Sequence, residues 1–211
     1  HSWVAVDPLG FRNEPIAAAL PEERAGAITF GTMNSPYKYT RAMFALWAEV
    51  LRRVEGSRFL FVRTEAAAAA FHRNVTGEFA SHGISPDRVE CVTPQGSHLS
   101  YYNRIDIALD TAPQTGGTTT CETLWMGVPV VTLVGGALFE RLSYSNLSNA
   151  GLGDLCAFSS ERYVEIALAL AAGPSRRREL RPELRARRRG TPVGDGARWV
   201  RDFEAAIERA H

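Results

Sequence analysis

One stretch of the chain, residues 110–129, has the residue types that bind a phosphate group. An apolar run ends in Asp110, and a loop with Pro113 and the adjacent glycines Gly116 and Gly117 leads to three threonines and a short apolar segment. The free N–H groups in the first turn of a helix attract anions, and glycines let a ligand approach the backbone. The stretch therefore predicts a strand, a loop and a helix whose N-terminus binds a phosphate or diphosphate.

A second interpretation of this stretch needs no ligand. Thr118, Thr119 and Thr120 could serve only to cap a helix, as threonine commonly does. Two adjacent glycines and three hydroxyls exceed what a cap requires, which favours the anion site. No Gly-Lys-Ser/Thr follows, so this is not a Walker A loop, and it is not a Gly-x-Gly-x-x-Gly fingerprint. The residue types alone therefore predict a phosphate-bearing ligand and do not identify it further.

Alternating apolar runs and helical periods predict the elements that position this stretch. Strands are expected at 27–30, 58–62, 88–92, 105–109, 130–133 and 156–157. Helices are expected at 40–54, 66–82, 96–102, 118–127, 141–150, 160–172 and 197–210. This alternation predicts an α/β fold, a doubly wound, mostly parallel sheet with helices on both faces. Ligands on such sheets bind beyond the carboxyl ends of the strands, where the loops after Phe30, Val92 and Leu109 meet.

The composition is that of an ordinary globular chain, with 211 residues, 45% apolar and 22% charged. A formal net charge of +1 gives no case for nucleic acid or a membrane surface, and no apolar run approaches the ~20 residues of a spanning helix. Cys91, Cys121 and Cys156 fit neither a zinc pattern nor a disulfide framework, so we expect reduced thiols in a cytoplasmic protein. No Asp-x-Asp motif or acidic pair has metal spacing, so no metal site is expected.

Several motifs together resemble the protein O-GlcNAc transferases. The central stretch reads Asp-Thr, then Gly-Gly-Thr-Thr-Thr-x-Glu-x-Leu-Trp-x-Gly-x-Pro-Val-Val-Thr, which looks like the donor-site segment of that family. Agreement continues in Phe-Gly-Thr-Met-Asn-Ser-Pro-Tyr-Lys at 30–38, in residues 94–98, and in Arg-Leu-Ser-Tyr-Ser-Asn-Leu at 141–147. The resemblance spans about residues 28–170 in the family's order and spacing.

The resemblance implies an architecture and an activity. The family has two-domain GT-B glycosyltransferases, also typified by plant SPINDLY proteins. Residues 27–172 would be the Rossmann-like, donor-binding C-terminal domain, residues 1–26 a connection from a missing N-terminal region, and residues 173–211 an Arg-rich helix and a C-terminal helix that pack on the domain.

The implied reaction is the inverting transfer of a sugar, N-acetylglucosamine, from UDP to Ser or Thr of a protein, with the UDP-sugar as substrate and no cofactor. The protein or peptide acceptor would bind through the missing N-terminal region, and this chain would be inactive by itself. A glucosyltransferase using UDP-glucose and a non-catalytic nucleotide-sugar-binding or interaction module are the alternatives.

Lys38 is the only lysine among 24 basic residues and follows a predicted strand end, and the resemblance makes it the candidate catalytic residue. A lysine is a mobile point charge suited to a diphosphate, and the resemblance implies that it neutralises the leaving diphosphate. A polar neighbour would assist, here Ser35 or Asn34 where some relatives carry glutamine. The alternative is a solvated loop lysine.

The resemblance also implies contacts to the nucleoside. His98 matches a histidine that packs near the base and ribose, where the alternative is a structural histidine. Thr93 and Gln95 lie in a segment whose backbone would read the uracil edge. Gln95 departs from an animal-type lysine, and Tyr101 departs from an arginine.

The helix after the glycines supplies the other donor-binding candidates. Gly116, Gly117, Thr118 and Thr119 would contact the phosphates. Glu122, one turn further, would hold ribose hydroxyls as carboxylates do in nucleotide pockets, where the family commonly has aspartate. The alternative is an exposed helix carboxylate. Gly117 stands where some relatives place a histidine, so no base is assigned to it.

The segment 175–190 carries eight arginines with interleaved glutamates. We expect a solvated helix there, and an acidic partner is the alternative.

Overall fold

A computed structural model describes residues 2–5 and 13–210 of the chain. The strands are β1 (Thr29–Thr32), β2 (Arg58–Val62), β3 (Val89–Val92), β4 (Ile107–Leu109), β5 (Val130–Leu133) and β6 (Cys156–Ala157). The α-helices are α1 (Pro21–Ala25), α2 (Arg41–Arg53), α3 (Ala69–Ser81), α4 (Thr118–Trp125), α5 (Leu142–Asn149), α6 (Ser160–Ala172), α7 (Pro174–Arg189) and α8 (Gly196–Ala210). Parts of the predicted connection 1–26, residues 1 and 6–12, lie outside the described residues.

The strands form one parallel sheet in the order β3-β2-β1-β4-β5-β6. Successive strands step outward from β1 in one direction and then, after β3, from β4 in the other. The order therefore reverses between β1 and β4, and ligands bind at such a reversal, beyond the carboxyl ends of the strands. The predicted doubly wound α/β fold is confirmed.

A continuous apolar run explains the central strand β2, whose predicted bounds are confirmed. Phe59 and Phe61 are fully buried, as expected for a strand covered on both faces. Around them pack Phe44, Trp47 and Phe79, with ring centroids 5.0 to 6.4 Å from those of the two strand residues. This aromatic cluster anchors α2 and α3 to the sheet.

Local sequence signals fix the ends of the helices next to the sheet. The Thr40 side chain accepts a hydrogen bond from the Met43 N–H at the start of α2, as predicted. Ser159 caps α6 in the same way through the Arg162 N–H. On one face α2 contacts α3 and α6, and elsewhere α4 contacts α5 and α7.

The first strand lies two residues later than its predicted position, 27–30. Gly31, which follows the predicted strand, pairs with Leu60 and Ala108 within β1. A β-carbon at Gly31 would stand 2.8 Å from both the Leu60 carbonyl oxygen and Ile105 Cδ1. This glycine is required by close packing and not by a turn.

The predicted helix 66–82 is interrupted. Residues Thr64–Ala67 form a 3-10 turn and α3 begins at Ala69, because the backbone of Ala68 is extended, with φ −86° and ψ 123°. The alanine run favours a helix only through intrinsic propensity, and tertiary context routinely overrides that preference.

The arginine-rich segment forms the helix α7, but the prediction of a solvated helix is wrong for its inner side. Arg177 and Arg181 are 1% and 2% exposed. Arg181 donates from Nε to the Ala17 carbonyl oxygen at 2.8 Å, and Arg185 donates from Nη2 to the Glu14 carbonyl oxygen at 2.7 Å. These arginines attach the segment before β1 to the domain, because guanidinium groups satisfy carbonyls that a loop leaves unpaired.

Two further expectations concern the chain as a whole. No helix within the described ranges is both long and apolar enough to cross a membrane. Cys121 and Cys156 are buried and Cys91 is partly buried, and none of the three forms a disulfide with another described residue.

Candidate functional site

Two loops meet where the strand order reverses, and they carry most of the predicted site. The first runs from the end of β1 through a 3-10 turn at Pro36–Lys38 to α2, and the second runs from Asp110 at the end of β4 to α4. Because β1 and β4 pair in parallel, their carboxyl ends lie side by side. Contacts between the loops then place each candidate side chain.

Lys38 projects from the first loop onto the second. Its Nζ donates to the Thr115 carbonyl oxygen at 3.0 Å and to Asn34 Oδ1 at 3.3 Å. The ammonium therefore lies directly beside the glycine pair that follows Thr115. An open cavity of about 430 Å³ adjoins it, lined by Tyr37, Lys38, Thr40, Pro113, Gln114 and Phe139.

Burial lowers the pKa of Lys38 below the ordinary value of 10.5. The negative charge of Asp110 opposes this effect and the positive charge of Arg63 adds to it. Desolvation disfavours an ammonium that lacks a full counter-charge. An anion bound beside the ammonium would oppose this effect and raise the pKa of Lys38.

Asp110 joins the two loops and is 2% exposed. Its Oδ1 accepts from Asn34 Nδ2 at 3.0 Å, from the Thr111 N–H at 2.9 Å and from the Gly116 N–H at 2.9 Å, and its Oδ2 accepts from Thr132 Oγ1 at 2.7 Å. Buried carboxylates need such donors. The carboxylate thereby fixes the loop after β1, the glycine pair and β5 relative to one another.

Asn34 and Gly116 use their polar groups inside the protein. Asn34 is 4% exposed, and its amide accepts from Lys38 and donates to Asp110. The Gly116 N–H donates to Asp110, and a β-carbon at Gly116 would stand 2.3 Å from Thr120 Oγ1. These internal hydrogen bonds hold the two loops together, and the predicted contacts of both residues with a ligand stay predictions.

The start of α4 leaves donors pointing out of the loop. Among the described residues, no protein acceptor receives the backbone N–H of Thr118 or Thr119, because these groups precede the first intrahelical partners. The Thr118 side chain is exposed and that of Thr119 partly exposed. Thr120 differs, since its buried hydroxyl bonds Ser143 Oγ at 2.7 Å. Thr118 and Thr119 therefore lie at the protein surface, whereas Thr120 does not.

His98 and Glu122 lie together on the side of α4 facing the loop after β3. Their side chains meet at 3.2 Å between Nε2 and Oε2. The hydrogen bond to Glu122 raises the pKa of His98 above 6.5, against a smaller opposing effect of burial. Glu122 follows Thr118 by one turn of the same helix, so this pair extends the surface formed by the threonines.

The remaining predicted residues make few contacts. Ser35 precedes the 3-10 turn and its carbonyl oxygen accepts from the Lys38 N–H at 3.0 Å. Thr93 is partly exposed after β3, and Gln95 is exposed, with its N–H donating to Tyr101 Oη at 3.1 Å. Within the described residues, the Lys38 ammonium donates to Asn34 and Thr115 and contacts none of these three side chains.

Comparison with known proteins assigns the family. The sequence profile of glycosyl transferase family 41 matches residues 17–203, which is most of the chain. The chain belongs to glycosyl transferase family 41.

Several curated relatives of this family 41 chain are plant proteins. It is 37% identical over 184 residues to a probable UDP-N-acetylglucosamine–peptide N-acetylglucosaminyltransferase SPINDLY of Oryza sativa subsp. japonica, covering 86% of this chain and 20% of the relative. It is 32% identical over 188 residues to the probable transferase SEC of Arabidopsis thaliana, covering 88% and 19%. The chain thus spans about a fifth of the length of these relatives.

Solved structures share the fold of this chain. An O-GlcNAc transferase mutant from Thermobaculum terrenum superimposes with a TM-score of 0.82 at 33% identity, covering 87% of this chain and 36% of that chain. A sucrose-phosphate synthase from Thermosynechococcus elongatus gives a TM-score of 0.64 at 14% identity, covering 96% and 52%, and this likeness concerns the fold alone. The fold is the Rossmann-like half of a GT-B protein.

The sequence assigns no role to three residues of this region. Asp110 ends a predicted strand, Thr115 lies in the loop, and Arg63, after β2, donates from Nη1 to the Met33 carbonyl oxygen at 3.2 Å. A buried acid at the end of an apolar run was the available signal for Asp110. The contacts of Thr115 and Arg63 depend on how the loops fold together, and no local pattern reveals that.

Within the described residues, no three His, Cys, Asp or Glu side chains gather in a way that could hold a metal ion.

Proposed function

We propose that this chain is the donor-binding part of an enzyme that transfers a sugar, N-acetylglucosamine, from UDP to a Ser or Thr hydroxyl of a protein. One observation carries the proposal, namely that the ammonium of Lys38 lies against Thr115, immediately before the glycine pair and the open N-terminus of α4. A cation and a helix N-terminus that converge on one point fit a diphosphate. Family membership and the printed activity of the relatives support the sugar and the acceptor.

The geometry suggests how the leaving group would be stabilised. When an acceptor hydroxyl attacks the anomeric carbon, the bond to the diphosphate breaks and negative charge grows on its oxygens. Lys38 and the N–H groups of Thr118 and Thr119 would meet that charge from fixed positions. Groups that need no reorganisation stabilise a transition state more than the ground state. This role needs no metal ion, and no residue of the chain is assigned as the base that accepts the hydroxyl proton.

The nucleoside would extend toward His98 and Glu122. The Glu122 carboxylate is already aligned by His98 at 3.2 Å, which leaves its second oxygen for ribose hydroxyls. The backbone around Thr93 and Gln95 would then face the base. We place the activity in the cytoplasm, where thiols without disulfides are usual, as for the three cysteines described here. The protein acceptor would bind through chain outside these 211 residues.

Calorimetric titration with UDP, GDP and their sugars tests the proposal. Wild type should bind UDP and UDP-N-acetylglucosamine, and Lys38→Ala should bind UDP about 10- to 150-fold more weakly, because a hydrogen bond to a charged group contributes about 1.5–3 kcal/mol. Arg41→Ala is the matched control, since it removes an arginine whose side chain is 92% exposed. A preference for GDP would contradict the proposed donor. Equal UDP affinity of wild type and Lys38→Ala would remove Lys38 from the site.

A further inference from the structure

A tryptophan far away in sequence lies over the helix N-terminus of the proposed donor site. Trp3 Nε1 donates to the Leu142 carbonyl oxygen at 3.1 Å, and the Trp3 N–H donates to Ser145 Oγ at 3.4 Å. Both partners belong to α5, which packs beside α4. These contacts hold the indole across the first turn of α4.

Gly117 provides the space for this ring. A β-carbon built on Gly117 would stand 3.1 Å from Cη2 and 3.2 Å from Cζ2 of Trp3, closer than carbon atoms normally approach. The indole therefore lies in contact with the backbone of the residue that caps α4. A larger residue at position 117 would push the ring away, so Gly117 and Trp3 fit one another.

The segment Ser2–Ala5 is also held from the side of α8. Trp199 Nε1 donates to the Ser2 carbonyl oxygen at 3.0 Å, and Ser2 is 8% exposed. The ring of Trp199 stacks on Phe203 with centroids 5.0 Å apart. Trp3 is thus fixed by α5 on one side and by α8 on the other.

Trp3 is nevertheless 37% exposed, and its ring lies against Gly117, the residue immediately before Thr118 and Thr119. An apolar surface next to hydrogen-bond donors excludes water and lowers the local dielectric constant. Both effects strengthen bonds from N–H groups to an anion. This inference rests on the proposed function, because it concerns how the same site holds a diphosphate.

We propose that Trp3 forms one wall of the diphosphate site. Its indole lies against Gly117 and shields the N-terminus of α4, where the phosphates bind, from water. The residue strengthens diphosphate binding and leaves nucleoside binding unchanged. The C-terminal helix α8 supports it through Ser2. The donor site therefore includes the segment Ser2–Ala5 as well as the loops of the sheet.

Tryptophan fluorescence can test this wall directly. Trp47 and Trp125 are fully buried, so acrylamide quenching reports chiefly on Trp3 and Trp199. Saturating UDP should reduce quenching in wild type. It should have no such effect in Trp3→Phe, which keeps an aromatic ring at position 3 but lacks the tryptophan fluorescence of that residue. Uridine, without phosphates, should protect less than UDP. Quenching of wild type that is unchanged by bound UDP would overturn the proposal without requiring any variant.

Affinity provides the second readout. Trp3→Ala should weaken UDP about fivefold to tenfold and uridine by less than about twofold, and Trp3→Phe should stay near wild type. Phe158→Ala, which truncates another exposed aromatic residue, is the control and should leave UDP affinity unchanged. Unchanged or tighter UDP binding by Trp3→Ala would overturn the proposed role of Trp3 and leave the proposed function standing. Failure of wild type to bind UDP overturns the proposed function and this inference together.

Discussion

At the scale of single residues, the hydrogen-bonding groups of the site differ in whether they already have a partner within the protein. The Asn34 amide bonds Lys38 and Asp110, and the Gly116 N–H bonds Asp110. Thr118 and Thr119 have hydroxyls with no such engagement in the described chain. A ligand therefore competes with no internal hydrogen bond at these two threonines.

Removal of those hydroxyls should distinguish phosphate from nucleoside contacts. Thr118→Val and Thr119→Val each delete a donor at nearly constant volume, so each should weaken UDP by about 1.5–3 kcal/mol and affect uridine less. Thr76→Val is the control, because its hydroxyl bonds the His72 carbonyl oxygen within α3. Calorimetry with both ligands gives the comparison. Equal losses for UDP and uridine would place the threonines away from the phosphates.

The pair of His98 and Glu122 predicts a pH dependence. The hydrogen bond to Glu122 raises the folded-state pKa of His98 above 6.5, so folding favours the protonated form. The resulting stabilisation is complete below about pH 6.5 and disappears as the pH rises through the folded-state pKa. Glu122→Gln should therefore destabilise the chain more at about pH 5.5 than at about pH 8.5.

Urea denaturation at both pH values measures this difference, and an NMR titration of the His98 ring gives its pKa in each variant. His72→Gln removes a histidine on α3 outside the site and serves as a control. A His98 pKa that is the same in wild type and Glu122→Gln would show that the contact does not act on the histidine.

At the scale of elements, α7 attaches the segment before β1 to the domain. Arg177 donates from Nη1 to the carbonyl oxygens of Leu170 and Ala171, the latter at 2.7 Å. Its Nη2 lies 2.5 Å from Glu22 Oε2, a contact of opposite charges without the alignment of a hydrogen bond. The neighbouring Arg178 pairs with Glu23 at 2.7 Å, but on the surface.

These two arginines should differ sharply in their effect on stability. Arg177→Ala should lower the free energy of unfolding by about 3 kcal/mol, because it leaves Glu22 and two carbonyls without a buried partner. Arg178→Ala should lower it by less than about 1 kcal/mol, since exposed ion pairs contribute little. Urea denaturation of the three proteins tests this. Equal, small losses would mean that α7 does not anchor the segment.

At the scale of the whole molecule, ligand binding should be visible as stability. A ligand at about 100 times its dissociation constant stabilises the folded state by about 2.7 kcal/mol. Because Lys38 and the α4 N-terminus supply the positive potential, UDP should raise the melting temperature equally in excess chelator and in magnesium. A rise that appears only with a divalent ion would contradict binding without metal.

The chain by itself should bind its donor without transferring the sugar. The Asp110 carboxylate, whose charge acts on Lys38, is buried and already accepts hydrogen bonds from Asn34, Thr111, Gly116 and Thr132, so no residue of this chain is assigned as the base for an acceptor hydroxyl. Incubation with UDP-N-acetylglucosamine and a Ser/Thr peptide, followed by mass spectrometry, should show no product above background. Measurable transfer would identify an acceptor-side residue within these 211 residues.

The sequence by itself determined the order of the six strands, the parallel sheet and the family, because these follow from local periodicity and contiguous motifs. The bounds of β2 and β5 and the threonine cap of α2 were predicted correctly for the same reason. Local patterns also located the two loops that meet at the sheet edge. Site roles assigned through the family resemblance remain predictions.

Only the tertiary structure decided which polar groups are free and which distant residues join the site. The burial of Arg177 depends on a partner 155 residues earlier, and the contact of Trp3 with α5 spans 139 residues. Whether Asn34 faces a ligand or Asp110 depends on how two loops pack together. Such contacts arise from non-local packing, which carries no period along the chain, so residue types and spacing cannot specify them.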